Sequence, residues 1–585
     1  MITISKRKDI IRSALGLEDL DFVVENVNIF NPLTKQIQSG ALGIKHSFIA
    51  HTDASQFQRA ATFDGKGLIA LPGFIDTHIH LDSTLLTPEV LADLIVPCGT
   101  TSVFIDPMEI SNVAGINGLK ALLISAETNP YRMFVEVSSR VPTAPGLETT
   151  GGVLGLDEVK EILSWPSSIS LGELDSSKIL GLKDEYLAKI EAAHKLGKIA
   201  NGHAAGLDPE KLIAYACGGL SDDHECVNFE EAWERLKNGL SVLVREGSTE
   251  RNLEPILKGA LENGIDYRNF MFCTDDKHPD DILDEGHIDF MVRKAIKLGV
   301  DPIPAIQMAT YNAAVHFRLD HILGSLTPGK LADFILVSDL NDLNIEDVFM
   351  NGQHVAHAGK LVHKQKEVNY PKWLFDTVKV TNGKRAEDFR IATKGTSKKV
   401  RVIELDPEQI INKVGSATLI VDSEKGVLSD SSKDIAKLAV VERYGINGNI
   451  GFAFVRGFGL KKGALASSVS HDHHNISVVG CSDEDMAMCV QAVEDIHGGL
   501  VIACDGKVLA TLPLPVGGLM TQKPAGNVIE KLNLMKEIYN NLGGTLPAPF
   551  MTLSFISLPT VPELGLTDKG LVDVRTLQLI SLFLE

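Results

Sequence analysis

Cysteine is scarce in this chain and scattered: Cys98, Cys217, Cys226, Cys273, Cys481, Cys489 and Cys504, an odd number without framework spacing. That excludes a disulfide scaffold and predicts a reducing, cytoplasmic setting. No stretch approaches the roughly 18 apolar residues of a membrane span. The start, "MITISKRKDIIRSALG", is basic but lacks a long apolar core, so it does not read as a secretory signal. Positive charge is also in deficit, with 56 Lys and Arg against 76 Asp and Glu, a net charge of -20 and a pI near 5.4. A nucleic-acid partner is excluded, because phosphate binding needs a basic face. The acidity reads as solubility. Internal repeats and low-complexity segments are absent too. What remains is a chain of 585 residues with 44% hydrophobic and 6% aromatic content, enough for substantial cores and for two or three domains.

Residues 21 to 70 read as short strands ("DFVVENVNIF", "GALGIKHSFIA", "GLIALPGF") broken by Asn, Gly and Asp. From about residue 71, apolar strands alternate with amphipathic helices such as "DEYLAKIEAAHKLG" and "NFEEAWERLKNG". About eight such strands predict an α/β fold, a (β/α)8 TIM-like barrel over 71–324. A doubly wound sheet is the alternative, but no Gly-x-Gly-x-x-Gly opens it. Residues 325–375 return to short strands and are expected to join 1–70 in a small β-sandwich domain. A C-terminal α/β domain is expected over 376–585, where "LIVDSEKG" and "KLAVVERYG" are typical stretches.

Catalytic groups of such barrels sit at the carboxyl ends of the strands. The first strand ends in "FIDTHIH", with His78 and His80 two residues apart and so on one face. "SISLGEL" ends in Glu173, "KIANGHA" in His203, "LSDDHEC" in His224, and "FMFCTDD" in Asp275 and Asp276. Each alone has a dull explanation, a buried histidine or a helix-capping acid. Four histidines and two carboxylates at the strand ends of one barrel point instead to zinc, iron or manganese.

This set resembles the amidohydrolase superfamily, and more narrowly its bacterial-type adenine deaminases. The matching stretches are "GTTSVFIDPMEISNVAG", "VPTAPGLETTG", "GHAAGL", "SDDHE", "VREGS", "TDDKHPDDIL", "VVERYGINGNIGFAFVRGFGL" and "GALASSVSHDHHN". Departures from the usual motifs are Asp82 for Glu, Met108 for His and His473 for Ser.

The resemblance implies a binuclear centre of Mn²⁺ or Fe²⁺, with Zn²⁺ also suited, held by His78, His80, Glu173, His203, His224 and Asp275. Glu173 would bridge where relatives of the superfamily often use a modified lysine; Lys178 and Lys183 read as surface charges. The implied reaction is hydrolytic deamination of adenine to hypoxanthine and ammonia, in purine salvage. Asp275 would move the proton, with Glu225 and Asp276 as further catalytic candidates. Strand alternation predicts that only one of Asp275 and Asp276 faces the barrel axis.

Glu109, Glu148, Arg245 and Glu246 are candidate substrate contacts, and salt bridges are the simpler role for the last two. His471, Asp472 and His474 would reach the substrate from a third domain closing over the barrel mouth. A homo-oligomer, dimer or higher, is expected, with no nucleic-acid or membrane partner. Competing readings are an amidohydrolase for a cyclic amide or another aminopurine, and a non-catalytic scaffold, which typically loses its ligands. A cytidine-deaminase-type site needs Pro-Cys-x-x-Cys, which "PCGTT" lacks.

Overall fold

The computed structural model describes residues 3–405, 412–559 and 563–584. Its centre is a ring of eight strands: β1 (Phe74–Ile79), β2 (Thr100–Ile105), β3 (Arg132–Val137), β4 (Ser168–Asp175), β5 (Ile199–His203), β6 (Asp222–Asp223), β7 (Ser241–Arg245) and β8 (Phe270–Cys273). β1 to β5 pair in parallel and in order, as do β6 to β8. Two seams close the ring. The Ser221 amide donates to the Ala200 carbonyl (2.9 Å), and the Asp275 amide to that of His78 (2.9 Å), with His80 returning a bond to Asp275 (3.1 Å).

Parallel strands covered on both faces should be apolar throughout, and β1, β2, β4 and β5 are buried along their whole length. One end of the barrel is filled by Ile75, Phe104, Ile169, Ile199, Leu243 and Met271, packed on Phe317 from the helix-rich segment that follows. Phe104 anchors this floor, edge-on to Phe134 (5.5 Å between ring centroids) and Phe317 (4.6 Å). The covering helices carry their boundary signals in the sequence. Asn228 caps Phe229–Lys237 by accepting from the Glu231 amide, and Asp184–Lys195 buries Tyr186, Lys189, Ile190 and Ala193, a stripe at helical spacing.

Strands from both flanks of the barrel share one nine-stranded sheet. Ile69–Pro72 pairs antiparallel with Phe334–Val337, with Leu71 opposite Ile335, and runs through Gly73 straight into β1. After residue 376 comes a second nine-stranded sheet, with Asp483–Asp495 packed on one face. Its βα alternation does not produce a parallel sheet. The pairs are antiparallel except Ser397–Glu404 with Ile450–Arg456. This sheet carries the loop 468–475, between Ala464–Ser467 and Ile476–Gly480, onto the barrel's carboxyl rim. There Asn475 donates to the Thr149 carbonyl (2.8 Å) and Thr149 to Asp568 (2.6 Å). No described helix is long and apolar enough to cross a membrane.

Candidate active site

At the carboxyl rim, His78 and His80 direct their Nε2 atoms at one oxygen of Glu173, at 3.1 and 2.9 Å. Asp275 Oδ1 stands 3.6 and 3.4 Å from the same two nitrogens. The other Glu173 oxygen faces His203 Nδ1 at 2.9 Å, and His224 completes this second group, its ring stacked 4.4 Å from that of His78. The ligand atoms of His78, His80, Glu173 and Asp275 lie within 4.8 Å of one another, as do those of Glu173, His203 and His224. All six expected ligands are thus brought together, and the carboxylate of Glu173 divides its oxygens between them.

This donor set fits two divalent cations. Two imidazoles and two carboxylates on one side, with two imidazoles and the shared carboxylate on the other, suit manganese, iron or zinc. Glu136 on β3, fully buried, holds His78 Nδ1 at 2.5 Å and so leaves Nε2 turned to the centre. Among the described residues the buried His203 Nε2 has no hydrogen-bond partner, and its Nδ1 faces only carboxylates, as expected of a side chain shaped for another ligand. Gly172 is needed beneath Glu173: a Cβ there would stand 2.3 Å from Asp106 Oδ2, which accepts the Glu173 amide (3.2 Å).

Beside the centre lies a chamber of about 40 Å³ lined by Glu225, Arg245, Asp275, Asp276, His471 and Asp472 among others. Arg245 grips Glu225 (2.7 Å) and Asp275 (2.8 Å) together. Burial opposes ionisation of Asp275, but the Arg245 guanidinium and the neighbouring imidazoles outweigh it and hold the carboxyl down at about 2. Glu225 is likewise kept well below the usual carboxylate range, against its burial, by Arg245 and His203. A far larger groove, about 1020 Å³, lies beside the amino ends of β3 and β4 and contains none of these groups.

Several expectations need correction. Asp275 and Asp276 both line the chamber, because Asp275 adopts a φ of +57°, outside strand geometry, so the alternation rule stops at Cys273. Lys178 is not a surface charge: it is 5% exposed and paired with Asp175 at 3.3 Å, whereas Lys183 is exposed. Glu246 sits apart from the chamber, tied to Lys294 (2.5 Å) and the Leu253 amide (3.2 Å). Glu148 caps a turn by accepting the Ala144 amide (2.7 Å), and burial pushes its carboxyl up to about 7.

His471 stacks on Phe555 (5.0 Å) at the chamber wall, while His474 is fully buried behind it. Asp472 accepts Arg140 (3.1 Å) and Thr143 (2.7 Å). Met108 also lines the chamber, and His473 is buried beyond it, its ring pushed down to about 4 by that burial.

Sequence reasoning missed Glu136, Arg140 and Glu250. Glu136 hides in the apolar run "MFVEV", where a charged residue among strand formers was the available signal. Arg140, 3% exposed, bonds both Glu173 and Asp472 and so joins barrel to C-terminal sheet. Glu250 lines the chamber, its carboxyl pushed up to about 7 by burial, in part offset by Arg245.

A parallel eight-stranded barrel with imidazoles and carboxylates gathered at its carboxyl rim is an amidohydrolase arrangement, and residues 69–355 match the amidohydrolase family. Residues 409–578 match the adenine deaminase C-terminal domain. The adenine deaminase of Desulforamulus reducens is 53% identical over 576 residues, 98% of either chain. That of Desulfatibacillum aliphaticivorans is 40% identical over 575 residues, 98% of this chain and 99% of its own. The chain belongs to the adenine deaminase family. It is a hydrolase, and its family carries a divalent-metal site. Among solved structures, an adenosine deaminase from Xanthomonas campestris with bound zinc covers 59% of this chain and 95% of its own, at 14% identity and a TM-score of 0.46.

Proposed function

We propose that the protein is an adenine aminohydrolase, converting adenine and water to hypoxanthine and ammonia. The carrying observation is Glu173, whose two oxygens are divided between two imidazole groups at the mouth of a barrel of this family. His78, His80, Glu173 and Asp275 would hold one divalent ion, and Glu173, His203 and His224 the other, with manganese or iron as first choice and zinc as an alternative. When bound, such ions supply the Lewis acidity that lowers the pKa of a water from about 15.7 to about 7.

The remaining steps belong to the side chains. Arg245 fixes Asp275 through Oδ2, leaving Oδ1 on the side of His78 and His80. From there Asp275 accepts one proton of the attacking water and passes it to the ring nitrogen. It then takes the second from the oxygen now on C6 and gives it to the amine, so that the C6–N bond breaks with release of ammonia as the C6 carbonyl forms. Glu225, 3.5 Å from His203 and 3.3 Å from His224, fixes the second pair of imidazoles and offers an acceptor to the substrate. Asp276, bonded by the Ser83 hydroxyl, lies opposite His471 (3.7 Å) and would meet the purine edge with Asp472. The free state of all seven thiols supports a reducing cytoplasm.

The test is a panel of adenine, other aminopurines and cyclic amides, with ammonia release measured on manganese-, iron- and zinc-loaded protein. Adenine is expected to be the preferred substrate. A preference for a cyclic amide, or no turnover of any of them, would overturn the reading.

A further inference from the structure

A second group of potential ligands lies beside the centre and is not used by the mechanism above. Asp82 follows β1, Glu109 follows β2, and His471 and His474 come from the loop 468–475 of the C-terminal sheet. One ligand atom from each lies within 4.8 Å of the other three. Exposure is 2% for Asp82, 2% for Glu109, 3% for His471 and none for His474. Both oxygens of Asp82, Nε2 of His471 and Nε2 of His474 are buried without a hydrogen-bond partner among the described residues, while Oε1 of Glu109 stands 2.9 Å from His80 Nδ1.

That is an expensive arrangement as it stands. Asp82 is buried with neither oxygen in hydrogen-bond reach of a partner, and Glu109 has His80 as its close partner but no lysine or arginine among the described residues. Burying unpaired charge costs several kcal/mol per ion, and native structures rarely leave so many buried polar atoms unsatisfied in one place. A cation between Asp82, Glu109 and His471 answers the Asp82 charge and its open oxygen. We propose that Asp82, Glu109 and His471 bind a third divalent transition-metal ion, distinct from the pair at Glu173, which ties the C-terminal sheet to the barrel.

The chemistry assigns different tasks within the group. Ser470 donates its amide to His474 Nδ1 (3.1 Å), so the ring proton sits on Nε2. Nε2 faces Asp82 Oδ2 at 4.0 Å, beyond hydrogen-bond reach, and its proton would steady that oxygen once Asp82 ligates the ion through the other. His471 has Nδ1 3.8 Å from Glu109 and Nε2 3.7 Å from Asp276. Ligation through Nδ1 therefore leaves its Nε2–H directed at Asp276. Donor atoms around an ion with bonds of about 2.0–2.2 Å stand roughly 3.4 Å apart in a tetrahedron, against 3.8 Å between His471 Nδ1 and Glu109 and at most 4.8 Å within the group. Two carboxylates and an imidazole suit manganese, iron or zinc better than calcium, which favours an all-oxygen set of six to eight ligands.

The experiment uses full-length protein loaded with Mn²⁺ alone, freed of excess metal by gel filtration, and read by elemental analysis. Three equivalents per chain are expected, falling to two in Asp82→Asn and in His471→Ala, with those two retained after gel filtration. Asp82→Glu, which keeps a carboxylate, should restore the third. An anomalous difference map of wild-type crystals at the manganese edge serves if a variant fails to fold, and should show a peak between Asp82 and His471. Two equivalents in wild-type protein at saturating Mn²⁺, or a map with no density there, would overturn the proposal. Those outcomes would leave the pair at Glu173, and the deaminase reading, untouched.

Discussion

The two ends of the barrel are built from the same strands and stabilised by opposite physics. On β1, Ile75 points into the floor and His78 into the centre, three residues further on. On β4 the same change runs from Ile169 to Glu173. The floor needs no partners: its side chains fill space, and their worth is the apolar surface they bury. The rim needs them everywhere. Its carboxylates and imidazoles are as buried as the floor's phenylalanines, and each charge persists only because another side chain or a bound ion answers it. The contrast predicts that changes at the rim will be read in metal content and turnover, and changes at the floor in stability.

Glu173→Ala should have the largest effect. It removes the carboxylate whose two oxygens are divided between the imidazole groups and takes from Arg140 one of its two buried carboxylate partners, leaving Asp472. Bound metal and adenine turnover are both expected to be lost, and breaking the buried pair costs roughly 3–5 kcal/mol of stability. Elemental analysis beside a denaturant titration checks this, and retained metal would mean that Glu173 is not shared.

Asp275→Asn comes next. It keeps one ligand oxygen but removes the proton acceptor, so kcat should fall by roughly 10²–10⁴-fold with part of the metal retained. Asp276→Asn should cost less. Because both side chains face the chamber, the direct comparison of kcat and metal content decides between them, and a larger loss for Asp276→Asn would exchange their roles.

Glu136→Gln tests the support behind His78. Metal affinity is expected to drop about 10–100-fold, while kcat at saturating metal stays near wild type. An unchanged affinity would reduce Glu136 to a packing residue. Smallest in its effect on turnover is Phe104→Ala, on the floor. It should cost about 3–5 kcal/mol in denaturant unfolding and leave metal content unchanged in the folded protein. Metal loss from folded Phe104→Ala would break the separation of floor from rim.

The sequence was most legible where two rules coincide. Strand ends of a parallel barrel collect functional side chains, and His, Glu and Asp are rare in apolar strands, so His78, His80, Glu173, His203, His224 and Asp275 stood out and do converge. The rule failed where the backbone left ideal geometry. Asp275 in a left-handed conformation brings Asp276 to the chamber as well, and nothing local marks that turn. It failed again where a partner is distant in sequence. Arg140 and Asp472 are separated by 332 residues, and Lys178 reads as a surface charge until Asp175 is seen beside it. The antiparallel order of the C-terminal sheet was hidden for another reason. Neighbours such as Ile435–Val441 and Ile450–Arg456 pair across short connections, but strands buried on both faces, such as Ile435–Val441, lack the alternation that marks an antiparallel sheet.

One measurement bears on the whole account. Full-length protein is stripped with a chelator, assayed for hypoxanthine formation from adenine, then reloaded with Mn²⁺ and assayed again. The rim described above predicts no turnover in the stripped protein and recovery on reloading, because His78, His80, Glu173, His203, His224 and Asp275 have no other means of activating water. Full adenine turnover by verified metal-free protein would contradict it.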